Sequence, residues 1–129
     1  MNAYLDANIV IKACLGNEER SLSILNDIAK GKIEAVSSAL VMDEIMWAIL
    51  KNNQAEFMDA IISNLYKLKH LEIKAVDADL PLIALDFIKK CNLKPRDAMH
   101  CAFMKKHGIE TIISDDRDFD KVKEFKRIF

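Results

Sequence analysis

Glycine and proline are scarce in this sequence, and their scarcity excludes two common kinds of binding loop. Glycine occurs only at positions 16, 31 and 108, and proline only at positions 81 and 95. Neither the G-x-G-x-x-G fingerprint of dinucleotide-binding folds nor the G-x-x-x-x-G-K-[ST] phosphate loop is present. The sequence also has no glycine-rich or serine-rich linker and no internal repeat, so we expect residues 1–129 to form a single domain.

Paired cysteines and long apolar runs are lacking as well. Cys14, Cys91 and Cys101 are odd in number and widely spaced, which fits buried free thiols better than a disulfide framework or a zinc site. No apolar run approaches the roughly 18 residues of a membrane span, and the chain does not begin with a basic segment and an apolar signal core. We therefore expect a cytoplasmic protein that does not contact membranes.

The balance of charge excludes one mode of nucleic-acid binding. With 19 basic and 20 acidic side chains, the formal net charge is −1. A protein that binds nucleic acid through a general basic field would carry a clear excess of lysine and arginine. If this protein handles a polyanion, its positive charge must come from local patches or from a bound metal ion.

Short apolar runs alternate with helical patterns along the chain. Five runs have strand length and strand-favouring residues: Ala3–Leu5, Ile33–Val36, Leu71–Val76, Thr111–Ile113 and Lys126–Phe129. Helical spacing of apolar residues marks the segments 22–29, 41–49, 57–68, 79–88 and 95–107, with Ser37 or Ser38 as a candidate cap. This alternation predicts an α/β protein with a parallel sheet that helices cover on both faces.

The opening stretch MNAYLDAN contains an aspartate in an unusual place. Asp6 follows the apolar run Ala3–Leu5 and precedes a second apolar run, although aspartate is depleted in strands. Right-handed crossovers bring the carboxyl ends of parallel strands to one edge of the sheet, where open α/β sheets bind ligands. Asp6 is therefore expected at the edge where such proteins carry out chemistry.

Three further segments carry acids that could reach the same edge. Glu44 lies in a helix with apolar neighbours, next to Asp43, and at most one of these two acids can share the core-facing side of that helix. Asp97 lies in the first turn after Pro95, and both Asp116 and Asp118 follow the run Thr111–Ile113. Each acid alone has an ordinary structural explanation: an exposed helix residue, a side chain that favours the helix dipole, or part of a solvated turn. Together they indicate one acidic site that is assembled from four segments.

A cluster of buried carboxylates requires compensation, because like charges raise one another's pKa. Divalent cations provide it, and a set of oxygen ligands with neither cysteine nor histidine favours Mg²⁺ or Mn²⁺ over zinc or copper. Two such ions roughly 3.5–4 Å apart can activate a water molecule and stabilise the leaving oxygen when a phosphodiester is cleaved.

The ordered set of LDAN, Glu44 on a serine-capped helix, RDAMHCAFM and ISDDRDF resembles the PIN-domain nucleases. The resemblance is strongest to the VapC-type toxins of prokaryotic toxin–antitoxin pairs. It implies a three-layer α/β/α sandwich with a central parallel sheet of four or five strands. It also implies cleavage of single-stranded RNA with Mg²⁺ or Mn²⁺, a homodimer, and an antitoxin protein as partner.

The resemblance assigns roles to individual residues. The catalytic and metal-binding acids would be Asp6, Glu44, Asp97 and Asp116. Asn8 and Ser114 match the polar helpers of the family, in which threonine is more common at the second of these positions. Asp118 and Phe119 match positions with a structural role. Asp115, next to Asp116, leaves two candidates for the fourth ligand.

Several basic and aromatic residues could serve the substrate. Lys94 and Arg96 flank Asp97, and Lys12 follows Asp6 closely, so we expect these three to contact RNA phosphates and to make binding sensitive to salt. Trp47 could stack on a base, pack within the helical layer, or lie at a dimer interface. His100, one turn after Asp97, is expected to make a structural hydrogen bond.

Other functions remain open on the sequence alone. A phosphatase of the D-x-D class is disfavoured, because Asn8 occupies the position of the second aspartate. The remaining alternatives are an RNA-processing nuclease without an antitoxin and a catalytically silent module that binds RNA or protein.

Overall fold

Strands and helices alternate along the computed structural model of the chain, which describes residues 2–129. The strands are β1 Asn2–Leu5, β2 Glu34–Ser38, β3 Leu71–Lys74, β4 Thr111–Ile113 and β5 Lys126–Ile128. The helices are α1 Ala7–Cys14, α2 Glu19–Ala29, α3 Ala39–Lys51, α4 Met58–Lys67, α5 Leu80–Cys91 and α6 Pro95–Lys106. Two short 3-10 helices, Ala55–Phe57 and Arg117–Lys121, precede α4 and β5. None of the helices within residues 2–129 is long and apolar enough to cross a membrane.

The five strands form one parallel sheet in the order β3-β2-β1-β4-β5. Helices flank this sheet in two groups, with α1 packed against α2 and α3, and α5 packed against α6. The predicted three-layer α/β/α sandwich with a parallel sheet is thereby confirmed. Strand β1 lies at the centre, and Leu5 pairs in register with Ile113 of β4. The segments that follow these two strands therefore leave the sheet side by side.

The core explains why these segments take these positions. Ala3, Tyr4 and Leu5 of β1 are all buried, as expected for a central strand that helices cover on both faces. Helix α6 buries the small residues Ala98 and Ala102 in the same core. Small side chains allow a helix to approach its neighbours closely, and His100 Nδ1 of α6 lies 2.7 Å from the Tyr4 hydroxyl of β1.

Two helix starts at this edge have clear local causes. Ser38 caps α3, because its hydroxyl accepts the Val41 backbone N–H at 3.3 Å. Of the two candidate serines, Ser38 is therefore the cap. Pro95 begins α6, where its missing N–H costs nothing and its fixed φ suits the first turn.

The structure differs from the sequence expectations in several places, and strand β2, for example, runs over Glu34–Ser38 rather than Ile33–Val36. Residues 7–14, to which the apolar pattern assigns no element, form α1, because the Asp6 carboxylate caps that segment. Strand β3 ends at Lys74 rather than Val76, since its pairing with β2 runs only from Leu71 to Lys74. Of the three thiols expected to be buried, only Cys101 is, since Cys14 at the C-terminal end of α1 is exposed and Cys91 is partly buried.

Candidate functional site

The first acid of the site, Asp6, lies directly after β1 and is only 6% exposed. Its backbone N–H donates to the Ile113 carbonyl at 3.1 Å, which continues the pairing of β1 with β4 by one residue. One carboxylate oxygen, Oδ1, accepts the Ala7 N–H at 2.8 Å. The other, Oδ2, accepts the Ser114 hydroxyl at 2.6 Å. These donors compensate the burial of the carboxylate and hold its direction.

Asn8 and Ser114 join the ends of β1 and β4. The Asn8 amide donates to Asp6 Oδ2 at 3.3 Å and to Ser114 Oγ at 3.2 Å, while its oxygen accepts the Asp115 N–H at 3.2 Å. Ser114 Oγ also accepts the Asp116 N–H at 3.0 Å. Both residues therefore orient the Asp6 carboxylate and the loop that carries Asp116.

The second acid, Glu44, extends from α3 with a side chain that is 18% exposed. Its Oε1 lies 2.7 Å from His100 Nε2, and its Oε2 lies 3.8 Å from Arg96 Nε. Asp6, Glu44 and His100 each offer a ligand atom, and these atoms all lie within 4.8 Å of one another. The hydrogen bond expected of His100 is present, and its ring is a potential ligand that the sequence analysis does not assign to the metal.

A second group of acids consists of Asp97, Asp116 and Asp118. Their carboxylates also offer ligand atoms that all lie within 4.8 Å of one another. Asp97 stands in the first turn of α6, and Asp116 caps the following 3-10 helix by accepting the Asp118 N–H at 2.9 Å. Asp118, which the resemblance treats as structural, is thus an additional candidate ligand. The sequence signal for Asp118 is the same as for Asp116, because both follow the strand run Thr111–Ile113.

The neighbouring acids Asp115 and Asp116 point to different partners. The Asp115 carboxylate is half exposed and forms an ion pair with Lys12, which lowers the pKa of Asp115. The Asp116 carboxylate instead lies with that of Asp97 and raises its pKa. The geometry therefore favours Asp116 as the fourth acid. Lys12, an expected phosphate contact, is held by Asp115.

The two groups of acids interact electrostatically. Burial, and to a smaller extent the charge of Glu44, raises the pKa of Asp6, although His100 and the Ser114 hydrogen bond act in the opposite direction. Burial and the adjacent Asp116 carboxylate raise the pKa of Asp97 to about 7. Burial alone would lower the pKa of His100, but the hydrogen bond that its ring donates to Glu44 and the charge of Asp6 raise this pKa overall.

This arrangement fits a divalent cation. Asp6 also raises the pKa of Asp97, so the charges of both groups act on one another at one edge of the sheet. A dication between the carboxylates would remove that repulsion, and the oxygen-rich donor set suits Mg²⁺ or Mn²⁺. Asp6, Glu44, Asp97 and Asp116 are the residues that could hold it, with Asp118 next to them.

Basic and aromatic side chains surround the acids. Arg96 is at the rim, where it faces Glu44, and Lys94 is exposed at the N-cap of α6. Trp47 is 63% exposed on α3, one turn after Glu44. The interpretation of Trp47 as a residue packed within the helical layer is therefore wrong, because its position on α3 turns the ring to the outside.

Comparisons with known proteins agree with the fold. The model of the PIN domain family matches residues 3–125. The VapBC2 complex from Rickettsia felis, solved with a promoter DNA fragment, is similar at 16% identity and a TM-score of 0.78, covering 99% of this chain and 98% of that chain. VapC20 from Mycobacterium tuberculosis, described as a toxin that cleaves the sarcin-ricin loop, has 17% identity and a TM-score of 0.75, covering 94% and 95%.

A toxin–antitoxin complex from Klebsiella pneumoniae has 20% identity and a TM-score of 0.70, and the match covers 98% of this chain and 96% of that chain. At these identities the likeness concerns the fold. A comparison with curated proteins gives no match.

Proposed function

The chain belongs to the PIN domain family, and we propose that it is a metal-dependent endoribonuclease that hydrolyses phosphodiester bonds of single-stranded RNA. One observation carries this proposal: acids from four separate segments form two groups, and the charge of Asp6 in one group acts on Asp97 in the other. Burial and Asp116 together raise the pKa of Asp97 to about 7, which indicates unrelieved repulsion among the carboxylates. Such a cluster is costly for stability, and a metal-dependent reaction explains why it is formed.

In the proposed reaction, Asp6, Glu44, Asp97 and Asp116 hold Mg²⁺ or Mn²⁺. When bound there, the metal lowers the pKa of a water molecule and stabilises negative charge on the departing oxygen. Ser114 and Asn8 maintain the direction of the Asp6 carboxylate by the hydrogen bonds at its Oδ2. Burial and Asp116 raise the pKa of Asp97 to about 7, so binding of a divalent metal by this carboxylate at neutral pH would be coupled to release of its proton.

Basic residues at the rim would hold the RNA backbone. Lys94 and Arg96 extend from the start of α6, beside Asp97, and we assign them to phosphates next to the scissile bond. Lys12 is paired with Asp115, so its contact with phosphate requires exchange of that ion pair. Since phosphate contacts release counterions, RNA binding should weaken as the salt concentration rises, with little dependence on base sequence.

The test uses purified protein and a panel of labelled single-stranded RNAs, with EDTA, Mg²⁺ or Mn²⁺. Cleavage should require the metal. Asp6→Asn and Asp97→Asn should each reduce kcat/KM by about a hundredfold or more, as expected from the loss of several kcal/mol of charge stabilisation. Asp86→Asn is the matched control, because Asp86 is an exposed aspartate on α5. Cleavage in EDTA, or full activity of both site variants, would reject the proposal.

We further propose that an antitoxin protein binds this chain. Two of the similar structures, from Rickettsia felis and Klebsiella pneumoniae, are complexes of toxin with antitoxin. Between α1, α2 and α4 lies a largely apolar groove of about 180 Å³, lined by Cys14, Leu25, Ile61, Asn64, Leu65 and Leu68. An amphipathic antitoxin segment would bury its apolar face there. A protein that degrades RNA freely, with no inhibitor encoded beside it, would instead be an RNA-processing nuclease.

A homodimer is the second proposed assembly. Met46, Trp47 and Leu50 form an exposed apolar face on α3. Contiguous apolar patches of this kind on a small protein mark interaction surfaces. Sedimentation velocity on the isolated protein tests this assembly, and a monomer at micromolar concentration would reject it.

A further inference from the structure

A buried chain of polar side chains runs beneath the acidic site, and the four-acid scheme does not use it. The Tyr4 hydroxyl lies 2.7 Å from Ser38 Oγ and 2.7 Å from His100 Nδ1. On the other side of the imidazole ring, Nε2 lies 2.7 Å from Glu44 Oε1. Tyr4, Ser38 and His100 are each at most 1% exposed. The chain therefore connects β1, the cap of α3 and α6 to a single carboxylate oxygen.

The chemistry of the groups determines where the key proton lies. A carboxylate oxygen can only accept, so the short contact to Glu44 Oε1 requires a hydrogen on His100 Nε2. This holds for the neutral ring, in which Nδ1 accepts the Tyr4 hydroxyl, and for the charged ring, in which Nδ1 donates to it. Ser38 Oγ, which accepts the Val41 N–H, can donate its own hydrogen to Tyr4. Each buried polar atom in the chain thus has a partner.

Packing holds the imidazole ring in this orientation. Its centroid lies 5.5 Å from the Tyr4 ring and 6.4 Å from the Phe119 ring, with the latter in an edge-on arrangement. Phe119 is itself buried, so neither neighbour can move away easily. A ring that is fixed by packing and by a hydrogen bond at each nitrogen can set the position of the carboxylate that it contacts.

We propose that His100, held by Tyr4 and Ser38, is a positioning residue that orients Glu44 for the metal and is not a metal ligand. This inference rests on the proposed function. A protonated Nε2 has no lone pair for a metal ion, although its distance to Asp6 and Glu44 would permit ligation. Because Oε1 is engaged by His100, the oxygen left to Glu44 for a metal ion is Oε2, which lies 3.8 Å from Arg96 Nε at the rim. Outer groups of this kind tune metal affinity by holding the ligand in place.

The first test measures Mn²⁺ affinity by calorimetry, without RNA. His100→Leu removes the donor and should weaken binding by about 10- to 100-fold. His100→Gln places an amide N–H near the position of Nε2 and should restore most of that loss. The matched control is His107→Leu, also on the α6 segment, because His107 Nε2 has no hydrogen-bond partner among the described residues. That control should bind Mn²⁺ as the wild type does.

Tyr4→Phe provides a second, smaller perturbation. It deletes one hydroxyl from a buried ring and keeps the ring packed against His100 and Phe103. Because Tyr4 acts through His100, Tyr4→Phe should weaken Mn²⁺ binding on its own but add nothing in the His100→Leu background. Circular dichroism in EDTA shows whether each variant is folded. If His100→Leu is not folded, Tyr4→Phe and the spectroscopic test below decide the question.

The spectroscopic test records the imidazole nitrogens of His100 by ¹⁵N NMR in metal-free protein and with Mg²⁺. The proposal requires a proton on Nε2 in both states. His100 would be a metal ligand, and the inference would be overturned, if Nε2 loses its proton with Mg²⁺ and His100→Gln binds Mn²⁺ as weakly as His100→Leu does. An unchanged Mn²⁺ affinity of His100→Leu would also overturn the inference. If Asp97→Asn nevertheless loses Mn²⁺ affinity, the proposed function remains intact. A wild-type protein that does not bind Mn²⁺ would reject both.

Discussion

Replacement of Asp97 by asparagine should stabilise the metal-free protein and remove its response to metal. Burial and the Asp116 carboxylate raise the pKa of Asp97 from 3.8 to about 7. A rise of about three pH units corresponds to about 4 kcal/mol, at about 1.4 kcal/mol for each unit. The side chain is only half buried, so solvent screening reduces this value, and we expect about 1–2 kcal/mol at pH 8.

The direction of the pH dependence follows from linkage. A carboxyl group whose pKa is higher in the folded state binds its proton more tightly there than in the unfolded chain. The protonated Asp97 carboxyl group therefore contributes fully to stability below its pKa in the unfolded chain, near 3.8. This contribution is lost as the pH rises through its pKa in the folded protein, about 7. The pKa of Asp6 is raised as well, so Asp6 acts in the same direction. Between about pH 4 and 7, metal-free wild-type protein should therefore lose stability relative to Asp97→Asn.

Urea denaturation in EDTA at pH 5 and pH 8 measures this difference. At pH 8 the free energy of unfolding of Asp97→Asn should exceed that of the wild type, and at pH 5 the two should be closer. With Mn²⁺ at a hundred times its dissociation constant, the wild type should gain about 2.7 kcal/mol, and Asp97→Asn should gain far less. The free energy of unfolding of Asp86→Asn should equal that of the wild type under each of these conditions. An Asp97→Asn protein that is less stable than wild type at pH 8, or equally stabilised by Mn²⁺, would refute this reasoning.

Three further predictions concern the loop after β4 and the exposed face of α3. Ser114→Ala should cost about 1–3 kcal/mol in urea denaturation, because the buried Asp6 carboxylate loses its 2.6 Å donor, and Ser114→Thr should retain most of that stability. The Arg127 guanidinium donates hydrogen bonds to Asp120 at 2.9 and 3.0 Å and to the Ser114 carbonyl at 3.1 Å. Because these bonds hold the loop after β4, Arg127→Met should lower kcat/KM for RNA about fivefold or more, as measured by single-substrate kinetics. Trp47→Ser should shift the protein towards monomer in sedimentation velocity, and an unchanged dimer would place the interface elsewhere.

Much of the fold could be predicted from local pattern. Apolar runs of strand length and helical spacing are short-range properties, and they located the strands and most of the helices. Ser38 as a cap and Pro95 as a helix start are equally local, because each acts on the backbone within one turn. The apolar pattern does not predict helix α1, because its short apolar run has no helical periodicity of its own. The helix depends on the cap from Asp6.

Candidate acids could be located from the sequence because topology brings strand ends together, and the resemblance to the PIN-domain nucleases selected four of them. Once β1 and β4 were predicted as parallel strands, Asp6 and Asp116 were expected at the same edge. The direction of each side chain, in contrast, could not be predicted from the sequence. Asp115 and Asp116 are adjacent and chemically identical, and the choice between them depends on Lys12, which lies 103 residues from Asp115.

By itself, the sequence determined the α/β alternation, the edge at which the acids collect and the family resemblance, because all three depend on residue type and order. Only the tertiary structure decided that Asp118 lies with the acids, that Trp47 is exposed, and that His100 contacts both Tyr4 and Glu44. These outcomes depend on contacts between residues far apart in the chain, whose geometry is set by packing rather than by local preference.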